Sequence, residues 1–211
     1  MLILWFVFIL NSVIGLLIPF RQYRNGFFLY FLVTGIADPI NMYLRSIFHY
    51  DLNIGALIYY ILALIITTYY VKKKESSKYY ILFYSVLFLL VLLYSFNILF
   101  QSKTPLGRQI VLGSSFIILL LVLYNLFTIM FRNIFETGKV NLYFVLLCLC
   151  NILPALRIGL LALRLESFAV FHNIAYFVEA IISIFFLFYN IKTSPKFSLA
   201  GSKAISEEAE E

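Results

Sequence analysis

The chain has 211 residues, of which 63% are hydrophobic, 19% aromatic and 12% charged, whereas a soluble domain is nearer half apolar and a quarter charged. That length holds about seven spans of about 20 residues with short loops and leaves little over for a soluble domain. The formal net charge of +6 is not a nucleic-acid footprint, because the basic residues cluster between apolar runs, where they set topology.

The first run opens Met-Leu-Ile-Leu-Trp. It has no basic stretch and no small-residue cleavage site, so it is expected to be a first span, about 2–20, and not a cleaved signal peptide. Trp5 suits the membrane interface. The second span is expected at about 27–45, the third at 54–71, the fourth at 79–100 and the fifth at 109–131. The sixth runs from about 140 to 163, interrupted by Pro154, and the seventh from 168 to 191. Cys148 and Cys150 are two residues apart in the sixth run, so a helix points them to nearly opposite sides and they are not expected to pair. From Thr193 the character changes: Pro195 blocks further helix, and the chain ends in Glu207-Glu208-Ala209-Glu210-Glu211. Residues 193–211 are expected to form a disordered acidic tail.

Charge asymmetry gives an orientation. Arg21, Arg24, Lys72, Lys73, Lys74, Lys78, Arg132, Lys139, Lys192, Lys196 and Lys203 fall on one side; Arg45, Lys103, Arg108 and Arg164 fall on the other. Eleven against four places the amino terminus outside and the carboxyl terminus in the cytoplasm. The fold class expected is all-α: an integral bundle of seven transmembrane helices, multi-pass in a bacterial inner membrane.

Two polar stripes interrupt the apolar runs. In the second span Thr34, Asp38, Asn41 and Arg45 are offset by four, three and four residues, which is one helical face. Pro39 removes an N–H beside Asp38, and a kink is expected there. Gly35 allows another helix to approach closely. In the seventh span His172, Tyr176, Glu179 and Ser183 repeat the same offsets. Between these stripes in sequence, the sixth span carries Asn151, Pro154 and Arg157. Arg157 cannot lose its charge, so it should face the bundle and meet a carboxylate, either Asp38 or Glu179. If spans two, six and seven adjoin, Asp38, Asn41, Arg45, Asn151, Arg157, His172, Tyr176 and Glu179 form one outward-facing polar pocket, with Pro39 and Pro154 as hinges. The same groups could instead simply hold the bundle together, as buried polar groups between membrane helices often do. Asn11, Asn97 and Asn125 are read in that way, as helix-packing amides.

Several chemistries are disfavoured. A retinal Schiff base needs a lysine within a span, and none lies there. Intramembrane bis-histidine haem needs two facing histidines, but His49 falls in an outer loop, leaving His172. No metal-ligand spacing, phosphate loop or nucleophile motif is present. No cofactor and no nucleic acid is expected, and a catalytic role is a minority reading. The partners expected are the lipid bilayer, a small ligand or proton from the outer side, and a cytoplasmic or membrane protein.

Dividing the spans three, one and three aligns spans two and six: Pro39 precedes Leu44-Arg45 and Pro154 precedes Leu156-Arg157. This somewhat resembles the parallel three-helix repeats of the sugar-transporter and PQ-loop families, whose broken helices line a central path; the Pro-Gln dipeptide is missing here. Across most of its length the texture of Tyr/Phe/Leu-rich spans is similar to that of small bacterial seven-helix membrane proteins, some encoded beside sensor histidine kinases. Phe-Arg-Gln-Tyr-Arg-Asn at 20–25 and Phe-His-Asn-Ile at 171–174 carry that resemblance. It implies an input module for signalling, not an enzyme. The functions to weigh are therefore a receptor or sensor, a small-solute or proton-coupled transporter, and a structural subunit of a larger membrane complex.

Overall fold

Long apolar runs with few internal charges satisfy their backbone hydrogen bonds away from water by forming helices, and helices make up most of the described chain. A computed structural model describes residues 2–23, 27–36, 43, 52–72, 105–163 and 168–198. Six helices are described: α1 (Leu2–Gln22), α2 (28–36), α3 (Leu52–Lys72), α4 (Pro105–Thr137), α5 (Leu142–Ala162) and α6 (Phe168–Phe188). Two three-residue strands, β1 (Lys139–Asn141) and β2 (Lys196–Ser198), complete the described structure. The expected fourth span, at 79–100, lies outside the described residues.

The helices pack as a row with one inserted member. α6 lies between α1 and α5, α5 touches α4, and α4 packs on α3. α2 fills the middle through its rings. Phe27 stands 4.7 Å from Tyr70 of α3 and 6.1 Å from Phe144 of α5, and Phe31 stands 4.9 Å from Phe186 of α6. At the crossing of α1 and α2 no side chain intervenes, and the backbones of Gly15 and Gly35 touch. That contact is the close approach the sequence reading assigns to Gly35.

Two helices, Gln109–Thr137 within α4 and Leu142–Ala162, are long and apolar enough to cross a membrane. The outer faces of α4, α5 and α6 do not turn polar as those of a soluble bundle would. Ile117, Leu120, Tyr124, Leu156, Phe177 and Ile181 are all exposed. Several buried positions are polar instead: Gln22, Thr67, Thr68, Ser115, Asn125 and Asn151.

Three boundaries differ from the sequence reading. α4 has 33 residues and spans about 50 Å, well beyond the expected 109–131. Pro105 opens it, at a position where a missing N–H costs nothing. Gly138 closes it at φ 62° and donates its N–H to Ile134 O at 2.8 Å, a left-handed helix end that glycine adopts without strain. α5 is not interrupted at Pro154; the helix runs through it from Leu142 to Ala162. The stretch 193–198 is ordered, not disordered. Lys139 pairs with Ser198, Val140 with Phe197 and Asn141 with Lys196 in an antiparallel ribbon. Residues 199–211 lie outside the described residues.

Candidate functional site

The polar groups of the bundle gather in three layers. In the first, α3 meets α4. Asn125 Nδ2 donates to Thr68 Oγ1 at 2.9 Å and to Thr67 Oγ1 at 3.2 Å, while Thr67 donates back to Leu64 O at 3.1 Å. All three residues are buried. These bonds join two helices, as the packing role read for Asn125 would have them do.

The second layer lies where the chain reverses after α4 and α6. Gln22, at the end of α1, is fully buried. Its Nε2 donates to Phe186 O at 2.8 Å and Tyr189 O at 2.9 Å, and its Oε1 accepts from the Tyr143 hydroxyl at 3.3 Å. The last carbonyls of a helix have no partner within it, and here α1 supplies partners for those of α6. Arg21 adds one more, donating to Phe188 O at 3.1 Å, where a cation also suits the helix dipole. Asn141 caps α5: its Oδ1 accepts from Tyr143 N at 3.0 Å, and its Nδ2 donates to Ile191 O at 2.9 Å. Ser194 Oγ accepts from the same Tyr143 N–H at 3.0 Å. Sequence reasoning missed Gln22, which falls just past the expected first span beside Arg21, and Asn141 and Tyr143, which open the expected sixth span next to Lys139 and read as interface residues.

The third layer carries charge. Arg157 of α5 and Glu179 of α6 face one another, with Nη1 and Oε2 3.9 Å apart and side chains 18% and 14% exposed. The guanidinium also lies over the Tyr176 ring, 4.8 Å from its centroid, within cation–π range. Antiparallel helices make this pairing natural. Side chains tilt toward their own helix N-terminus, so those of α5 and α6 lean in opposite directions and converge. A separation of 3.9 Å exceeds the usual 2.7–2.9 Å of a charge-assisted hydrogen bond (about, by survey). The charges attract without locking into the shortest contact.

Of the two carboxylates offered to Arg157 by the sequence, the structure places Glu179 beside it, with Tyr176 of the same stripe. Asn151 Oδ1 accepts from the Tyr30 hydroxyl at 2.9 Å and its Nδ2 donates to Leu147 O at 2.8 Å, so this buried amide ties α2 to α5. Tyr30 was not foreseen; one hydroxyl among many tyrosines gives no signal until its partner is known. His172 belongs to α6 by its backbone, and its side chain lies outside the description. Asp38, Pro39, Asn41 and Arg45 lie outside the described residues. The described part of α2 does adjoin both α5 and α6, as the pocket reading requires of span two. Cys148 and Cys150 are both free thiols. Among the described residues, no three His, Cys, Asp or Glu side chains gather as a metal ion would need.

Compared with known proteins, the chain matches no family model, no curated protein and no solved structure.

Proposed function

We propose that the chain is a multi-span integral membrane protein of the receptor or sensor kind, with seven spans, an outer amino terminus and a cytoplasmic carboxyl terminus. A small ligand or proton from the outer side is received at the Arg157–Tyr176–Glu179 layer between α5 and α6. The observation that carries this reading is the 3.9 Å separation of Arg157 and Glu179 within the bundle. An ionisable pair at membrane depth is expensive to maintain, and a loosely joined pair can exchange one partner for a ligand or a proton. Membrane embedding is supported by the many large apolar side chains exposed on the described helices and by the two span-length helices among the described residues. Seven spans and the orientation rest on the hydropathy and charge pattern of the sequence. Arg21 in the last turn of α1, Lys139 after α4 and Lys192 after α6 share one end of the bundle.

The signal would leave through α6. Its last turn is bound by Gln22 and Arg21, and the chain after it leads to Lys196–Ser198, which pairs with β1. A change in the pairing of Glu179 therefore has a continuous helix through which to act on the basic end, provided the ligand distinguishes two arrangements of the bundle.

The test is amide exchange across residues 189–198 in protein reconstituted in lipid nanodiscs, followed from acid to neutral pH. The pH dependence of protection should disappear in Glu179→Gln and weaken in Arg157→Leu. An unchanged pH dependence in both correctly folded variants overturns the reading. Proteoliposomes carrying a pH-sensitive dye should show no protein-dependent flux; sustained flux abolished by Glu179→Gln would establish a transporter instead.

A further inference from the structure

The end of the bundle that holds the ribbon carries cations and exposed rings together. Arg21, Lys139, Lys192 and Lys196 are exposed there, and among the described acidic residues only Glu136 accompanies them. Phe20 and Phe135 are 80% and 86% exposed, and Phe197, in the ribbon itself, is 57% exposed. These residues share one end because α1 is bonded to the end of α6, and Leu142 N donates to Pro195 O at 3.0 Å where the ribbon meets α5.

The ribbon has two unlike faces. Opposed residues of an antiparallel pair project to the same side, and successive residues alternate. Val140 and Phe197 therefore share one face, while Lys139 with Ser198 and Asn141 with Lys196 share the other. Asn141 is buried and bonded to Ile191 O, so the ribbon is fixed to the bundle and needs no ordering on contact. A fixed ribbon with an exposed ring on one side and lysines on the other fits a layer that is apolar beneath and anionic above. A free phosphate ion would engage the lysines and gain nothing from Phe197.

We propose that this end is a binding surface for anionic phospholipid headgroups, with Phe197 entering the acyl boundary and Lys139, Lys192 and Lys196 taking the phosphates. The proposal rests on the membrane reading above. Basic residues beside aromatic side chains at the membrane surface are favoured on both counts.

The test uses tryptophan probes in the full chain with Trp5→Phe, since the sequence has one tryptophan. Phe197→Trp probes the ribbon and Phe177→Trp, on the outer face of α6, probes embedding. Circular dichroism confirms the fold of each. In nanodiscs of phosphatidylcholine, or of phosphatidylcholine with phosphatidylglycerol, Phe197→Trp should be quenched by lipid brominated close to the glycerol, and more strongly with phosphatidylglycerol. Replacing Lys139, Lys192 and Lys196 together by Gln should remove that preference, each lysine contributing about fivefold. The proposal is overturned if Phe197→Trp is quenched only by aqueous iodide, if quenching ignores lipid charge, or if inorganic phosphate at matched ionic strength abolishes the preference. In any of these cases, quenching of Phe177→Trp by mid-chain bromines leaves the membrane reading standing. Failure of that control as well removes both.

Discussion

Replacing Arg157 by Met, Glu179 by Gln, and both together measures how strongly the two charges depend on one another. At 3.9 Å, unit charges attract by about 4 kcal/mol at an effective dielectric of about 20. Both side chains are less than one-fifth exposed, so little of this is lost to solvent screening. Removing either partner takes a counter-charge at depth from the other, which costs about 3–5 kcal/mol in comparable buried pairs. The double replacement restores neutrality and should cost no more than about 2 kcal/mol, giving a coupling of at least about 4 kcal/mol. Unfolding of the four proteins by sodium dodecyl sulfate in mixed micelles, followed by circular dichroism, reads these differences directly. Tyr176→Leu removes the ring that lies over the guanidinium and should cost about 1 kcal/mol. Strictly additive single and double replacements would refute the pairing. Near-neutral single replacements would also refute it, since each charge would then be solvated independently.

The glycine crossing gives an asymmetric prediction. A methyl group on Gly35 collides with the Gly15 backbone, whereas one on Gly15 meets Gly35 Cα at 3.4 Å, an ordinary contact. Gly35→Ala should therefore lower the unfolding midpoint far more than Gly15→Ala in the same micelles. Asn125→Leu breaks two hydrogen bonds to Thr67 and Thr68 and should cost about 1 kcal/mol, since such bonds average about 0.6 kcal/mol in membrane bundles. Gln22→Leu strips partners from the carbonyls of Phe186 and Tyr189 and from the Tyr143 hydroxyl. It should cost about 2–3 kcal/mol and speed amide exchange across 189–198, where Asn125→Leu should have no effect.

The charged layer was legible in the sequence because depth narrows the choices. An arginine inside an apolar run requires a counter-charge, and the apolar runs contain few carboxylates. The stripe spacing on α6 also put Tyr176 and Glu179 on one face, and the structure sets both against Arg157. Asn151 was legible as buried and polar but not in its role, since its partner Tyr30 lies 121 residues away. The extent of α4 was hidden for a different reason. Apolar character fades near Arg132, but the helix continues until Gly138 supplies a left-handed turn. α6 ends at Phe188, short of the expected limit near 191 and well before Pro195. The ribbon beyond it depends on pairing between 139–141 and 196–198, two short segments without strand-like alternation of their own.

α6 is the element on which these observations converge. It carries Tyr176 and Glu179 at mid-helix, packs on both α1 and α5, and ends in carbonyls bonded by Arg21 and Gln22. Arg157 and Tyr143 belong to α5, so the pair at depth and the hydroxyl that reaches Gln22 are fixed to the same two helices. A tilt of α6 against α5 that lengthens the Arg157–Glu179 contact must also displace Phe186 and Tyr189 relative to Tyr143. Gln22 bonds to all three, so it cannot keep its geometry through that motion. The charged layer and the basic end are thus mechanically linked by a buried amide and not by a flexible loop. On this argument Gln22→Leu should weaken the pH dependence of exchange at 189–198 even though Gln22 touches neither Arg157 nor Glu179. A response of full size in that variant would mean that α6 transmits no strain to its end, and the link would have to be sought through α2 and Tyr30.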